Sequence, residues 1–114
     1  MFGAIKLWIL GEHVEIIRKF YTQLCHNLTR TVEIVNMMLQ SDTLTSAEHE
    51  GIIILNNNIY IMNDQLLKLI LNKSSEVYES FIEALRVCDQ THLYQLLHTS
   101  GRTKFVSIIK TRIS

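Results

Sequence analysis

Residues Leu66–Leu97 read LLKLILNKSSEVYESFIEALRVCDQTHLYQLL. Apolar side chains up to Leu71 recur at helical spacing, and the polar step Asn72–Ser75 interrupts them. A second helix follows, to about Val87. Val77, Tyr78, Phe81, Ile82 and Leu85 form its broad apolar face, and Glu76, Glu79 and Glu83 line the outside. Ser75 is placed to cap this helix, and Thr91 to cap a short last one through His98 that carries Leu93–Leu97. Gly101 is a natural stop. The pattern is one of packing without chemistry, so it asks which partner the chain meets rather than which reaction it performs.

The rest of the chain reads the same way. A first helix is expected from Glu12 to about His26, with Ile16 or Ile17, Phe20, Tyr21 and Leu24 on one face. A second runs from about Arg30 to Gln40, with Thr29 as its cap and Val32, Val35, Met38 and Leu39 as its stripe; Ser41–Thr43 is a turn. Thr45-Ser46-Ala47-Glu48 matches a capping box, with Leu44 placed as a hydrophobic staple. It opens a third helix to about Leu55. By composition Ile52–Leu55 also fits a buried strand, but the capping box and the helical neighbours favour helix. Asn56–Asn58 is a loop, and a fourth helix from about Ile59 to Asn72 turns Met62, Leu66, Leu69 and Ile70 inward.

Six short helices with connections of about three to five residues suit an all-α antiparallel bundle. Helices this short are marginal alone, so the stripes must pack together. Proline is absent and glycine numbers only 4, so little breaks them. A chain of 114 residues, 47% apolar, allows one domain with a modest core. The reading divides it into an N-terminal extension (1–11), a helical bundle (12–100) and a basic amphipathic tail (101–114).

The formal net charge is zero but unevenly spread. Residues 1–101 hold 11 acids and 7 bases, 7 − 11 = −4, and residues 102–114 hold Arg102, Lys104, Lys110 and Arg112 without an acid. An acidic body argues against broad nucleic-acid binding by the domain itself. The tail, with Phe105, Ile108, Ile109 and Ile113 opposite its bases, carries the alternative reading: binding to an anionic membrane or nucleic acid. Deleting 102–114 would abolish that binding and spare a contact made by the bundle. MFGAIKLWIL at the start is too short to span a bilayer and lacks a cleavage site, and no run of 18 apolar residues exists. Cys25 and Cys88 have no metal-motif spacing and make no disulfide framework. These features lead us to expect a soluble, cytoplasmic protein.

A search for chemistry returns little. His13, His26, His49, His92 and His98 form no His-x-x-x-His pair, and Ala47–Glu50 lacks the second histidine of a zinc-protease motif. Surface or boundary positions are expected for all five. Neither cysteine lies in a protease-like motif, and Cys88 suits a gap beneath the last helix. The glycines are isolated, so there is no phosphate loop. No catalytic, metal or cofactor residue is assigned; a hydrolase using Cys25 or Cys88 would need an unusually reactive thiol. What remains is surface charge. Asp42, Glu48 and Glu50 gather around the second turn and third helix, and Arg18, Lys19, Lys68 and Lys73 lie on the first and fourth. Opposite charges on different faces let copies attach head to tail, as a ring or an open filament.

At this point the residues resemble the caspase recruitment domains. Leu44–Glu50 is similar to the start of that family's third helix. Leu66–Asn72, Lys73–Glu76 and Val77–Leu85 resemble its fourth and fifth helices, and Leu93–Leu97 its last. The resemblance covers about residues 12–100. It implies a six-helix Greek-key bundle of the death-domain superfamily. It implies homotypic contacts with the same domain of a caspase, adaptor or sensor, and self-association into oligomers or filaments that assemble or regulate a caspase-activating complex in apoptosis or inflammation. It implies an acidic interaction surface at Asp42, Glu48 and Glu50 and a basic one at Arg18, Lys19 and Lys68. Two positions that are acidic in one member hold Asn36 and His49 here. His49 lies between two glutamates, and its charge at mildly acidic pH would weaken an acidic patch. Association should then be tighter at pH 8 than at pH 6. A natural Met1 and the extra tail favour a small standalone regulator.

Overall fold

The computed structural model describes residues 12–99, and every regular element among them is α-helical. The expected extension (1–11) and basic tail (101–114) lie outside the described residues. The helices are α1 (12–19), α2 (Tyr21–Asn27), α3 (Thr31–Gln40), α4 (Ser46–Ile53), α5 (Ile59–Leu71), α6 (Ser75–Val87) and α7 (91–99).

Seven helical segments replace the six expected because the first helix bends at Phe20, whose φ of −106° and ψ of 16° leave the helical region. The hydrogen-bond ladder continues across the bend, from the Phe20 N–H to the Ile16 carbonyl at 3.2 Å and from the Leu24 N–H to the Phe20 carbonyl at 2.8 Å. Just beyond it, the Tyr21 hydroxyl donates to the Asp64 carboxylate on α5, which fixes the direction of α2. The bend lets Ile16 and Ile17 on one side and Leu24 and Leu28 beyond the other all reach the core.

α3 is the central element: it packs on α4, α5 and α6, while α5 also carries α2 and α4. Ile34, Val35 and Met38 are its buried face; Val32, expected on the stripe, is exposed, and Ile34 takes that place. On α5 and α6, Leu66, Leu67, Ile70, Phe81 and Leu85 are fully enclosed, while Leu69, Tyr78 and Ile82 are half-buried. Glu76, Glu79 and Glu83 face water as expected. Cys88 is buried, with its sulfur 3.6 Å from that of Met37 on α3.

Several ends differ by a residue or two from the sequence reading. Arg30 rather than Thr29 precedes α3, and the Thr29 N–H donates instead to the Gln90 side chain at 2.9 Å. Ser74 rather than Ser75 precedes α6, and it makes no side-chain cap bond. α7 already includes residue 91, and α4 ends at Ile53. The capping box does form: the Glu48 N–H donates to the Thr45 hydroxyl at 3.1 Å, and the Thr45 N–H to Glu48 Oε1 at 2.9 Å.

One buried polar unit escaped the periodicity. Asn63 on α5 is fully enclosed, and its amide donates to the carbonyls of Cys25 and Leu28 at 2.9 Å each. Its own carbonyl accepts from the Thr31 hydroxyl. The side chain therefore satisfies two carbonyls at the end of α2 and locks the α2–α3 corner onto α5.

Candidate interaction surface

The acids singled out in the sequence lie around the α3–α4 connection, and local backbone chemistry places them. Asp42 closes α3 in the left-handed region, with φ of 60°. The Asp42 N–H donates to the Leu39 carbonyl at 3.1 Å and the Thr43 N–H to the Met38 carbonyl at 3.0 Å, the two bonds of a Schellman cap. Thr43 then shares a 2.9 Å hydroxyl–hydroxyl bond with Ser80 on α6. The connection is thus tied down, and the Asp42 side chain is held out in solvent.

Glu48 and Glu50 differ in character. Glu50 is exposed and makes no ion pair among the described residues. Glu48 is largely enclosed: one oxygen caps α4, and the other meets Lys73 Nζ at 2.6 Å. The Lys73 ammonium and the Thr45 N–H together hold the Glu48 carboxyl below its ordinary range. His49, between them, is half-buried, with Nε2 2.6 Å from the Asn36 side-chain oxygen on α3.

The basic residues also divide. Arg18 and Lys19 are exposed on α1, and Lys19 lies 5.4 Å from the Phe20 ring centroid. Lys68 on α5 is paired at 2.9 Å with Asp64, one turn before it. Asp64 also accepts from Tyr21, and these two neighbours lower its pKa, the tyrosine most. Lys73 belongs to the α5–α6 turn and is spent on Glu48. The expected groups therefore come together only in part. Asp42, Glu50, Arg18 and Lys19 carry charge with no ion-pair partner among the described residues, whereas Glu48, Lys68 and Lys73 are internally matched.

An apolar feature at the α4–α5 corner was missed. Ile54 is 77% exposed, Tyr60 54% and Ile61 47%. Ile54 follows Glu50 by one helical turn, so an isoleucine and a free acid share one side of this end of α4. The signal was present in Ile52–Leu55. Four consecutive apolar residues sweep about 300° around a helix, so some must face water. Ile52 is buried and Ile54 is the one left out.

His13 is buried, contrary to the surface or boundary expectation. Its Nε2–H donates to the Lys73 carbonyl at 3.2 Å, and its ring lies 5.5 Å from that of Tyr78. Burial raises the pKa of both the Cys25 and Cys88 thiols, which disfavours the nucleophilic thiolate. Among the described residues no group of three or more His, Cys, Asp or Glu could hold a metal ion. No described helix is long and apolar enough to cross a membrane.

A helical bundle whose distinguishing surface features are free charges and an apolar corner defines a protein-interaction module. The sequence identifies which kind: it matches the caspase recruitment domain family model over residues 14–100, and the chain belongs to that family. Such domains bind others of their kind by homotypic contacts. No curated protein and no solved structure matches the chain.

Proposed function

We propose that the chain assembles or regulates a caspase-activating complex, through a Greek-key death fold that pairs an acidic surface of one domain with a basic surface of the next. The acidic side is led by Asp42 and Glu50, with Glu48 beside them but matched to Lys73, and the basic side by Arg18 and Lys19, with Lys68 matched to Asp64. The partner is the same type of domain in a caspase, adaptor or sensor, or a second copy of this chain, in the cytoplasm. The observation that carries this reading is the pair of unmatched charge groups, Asp42 and Glu50 against Arg18 and Lys19, on different elements of one small domain. Such charges steer encounter and select the partner, while apolar contact at Ile54, Tyr60 and Ile61 adds affinity. A heterologous contact of this kind propagates into rings or filaments.

Electron microscopy and sedimentation of the purified full chain test it. Filaments or large oligomers are expected, lost in D42K/E50K and kept in E76K/E79K, which reverses the same number of acids on α6. Equal behaviour of the two variants would overturn the reading.

A further inference from the structure

Of the four ion pairs among the described residues, three link neighbours three or four apart on the same stretch of chain; Glu48–Lys73 alone joins separate elements. It is also the most enclosed, with side chains 23% and 27% exposed. Both carboxylate oxygens of Glu48 are committed, one to the Thr45 N–H and one to Lys73. Lys73 is held from the other side as well, since its carbonyl accepts from buried His13 on α1. The ammonium is therefore carried on a fixed piece of backbone.

We propose that Lys73 withholds Glu48 from the interaction surface, so that a basic partner meets Asp42 and Glu50 and finds the third acid already neutralised. Lys73 is then a specificity-determining residue. It trims the negative charge offered to a partner without entering the contact, and an incoming guanidinium or ammonium must displace it to reach Glu48. This rests on the acidic-surface reading above. The pair costs an incoming cation twice, because Lys73 would have to move into water and Glu48 would lose a short, partly desolvated bond. Glu50 and Asp42 impose no such exchange.

Hexa-arginine at low salt is a suitable probe of the full chain, with the carboxyl carbons of Asp and Glu followed by nuclear magnetic resonance. In the wild type, Asp42 and Glu50 should shift and Glu48 should stay still. In Lys73→Gln, Glu48 should join them, and affinity measured at Glu50 should tighten by about threefold, the worth of one partly screened charge. The double variant E48Q/K73Q should return to wild-type affinity, and K73R, which keeps the pair, should match the wild type. A Glu48 signal that moves with Glu50 in the wild type, or unchanged or weaker binding in K73Q, would overturn the role of Lys73. Silence at both Asp42 and Glu50 would instead overturn the acidic surface itself, so the two failures are distinguishable.

Discussion

Asn63 and Asp42 show how much a single side chain decides here. The Asn63 side chain, itself fully enclosed, is the partner of two carbonyls and a hydroxyl. Replacing it by leucine keeps the bulk but leaves those groups unpaired. Chemical denaturation of N63L should show a loss of about 3 kcal/mol. Asp42 has a double role, as the left-handed residue of a helix cap and as a free acid. Glycine adopts that conformation freely and valine does not. D42G should therefore keep its stability within about 0.5 kcal/mol while losing partner binding, and D42V should lose about 1–2 kcal/mol as well. Asp89 has the same φ of 60° at the end of α6. D89G is the matching control, equally stable but unimpaired in binding.

Helices are joined here by a few polar links whose strength depends on ionisation. Glu48 ties the start of α4 to the α5–α6 turn, and Asp64 ties α5 to α2 through Tyr21. The fold holds both carboxyls below their ordinary range, Glu48 chiefly through Lys73 and Asp64 chiefly through Tyr21. The stability they contribute is complete above that range, about pH 4, and is lost as pH falls through the lowered folded values. Thermal unfolding followed from pH 7 to pH 3 should show a shallower decline in E48Q than in the wild type, with a lower starting Tm. An identical slope would mean that the Lys73 contact adds nothing to the folded state. The bend at Phe20 belongs to this scale too. Periodicity makes one helix of residues 12–26, because the apolar spacing barely changes across the bend. The long-range Tyr21–Asp64 bond lies just beyond the bend, and no local pattern points to it.

The whole molecule is a small core with an uneven charge shell. Residues 12–99 hold 11 acids and 6 bases, 6 − 11 = −5, so the proposed assembly would depend on where the free charges lie rather than on net attraction. Raising salt from about 50 to 300 mM shortens the screening length and should weaken assembly markedly. Persistence of oligomers at the higher salt would place the affinity in the apolar corner at Ile54, Tyr60 and Ile61. Core strength is tested separately: F81A, at a fully enclosed ring, should cost ~3–5 kcal/mol. The sequence by itself determined the helical class, five of the helix positions to within a few residues, the capping box at Thr45 and Glu48, and the family. These follow from spacing and caps, which act over three or four residues. Only the tertiary structure decided that Glu48 is matched by Lys73 while Glu50 is free, that His13 and Asn63 are buried, and that Ile54 is left in water. Those outcomes depend on which elements come to lie side by side, and side chains far apart in the chain become partners only once the core has brought their helices together.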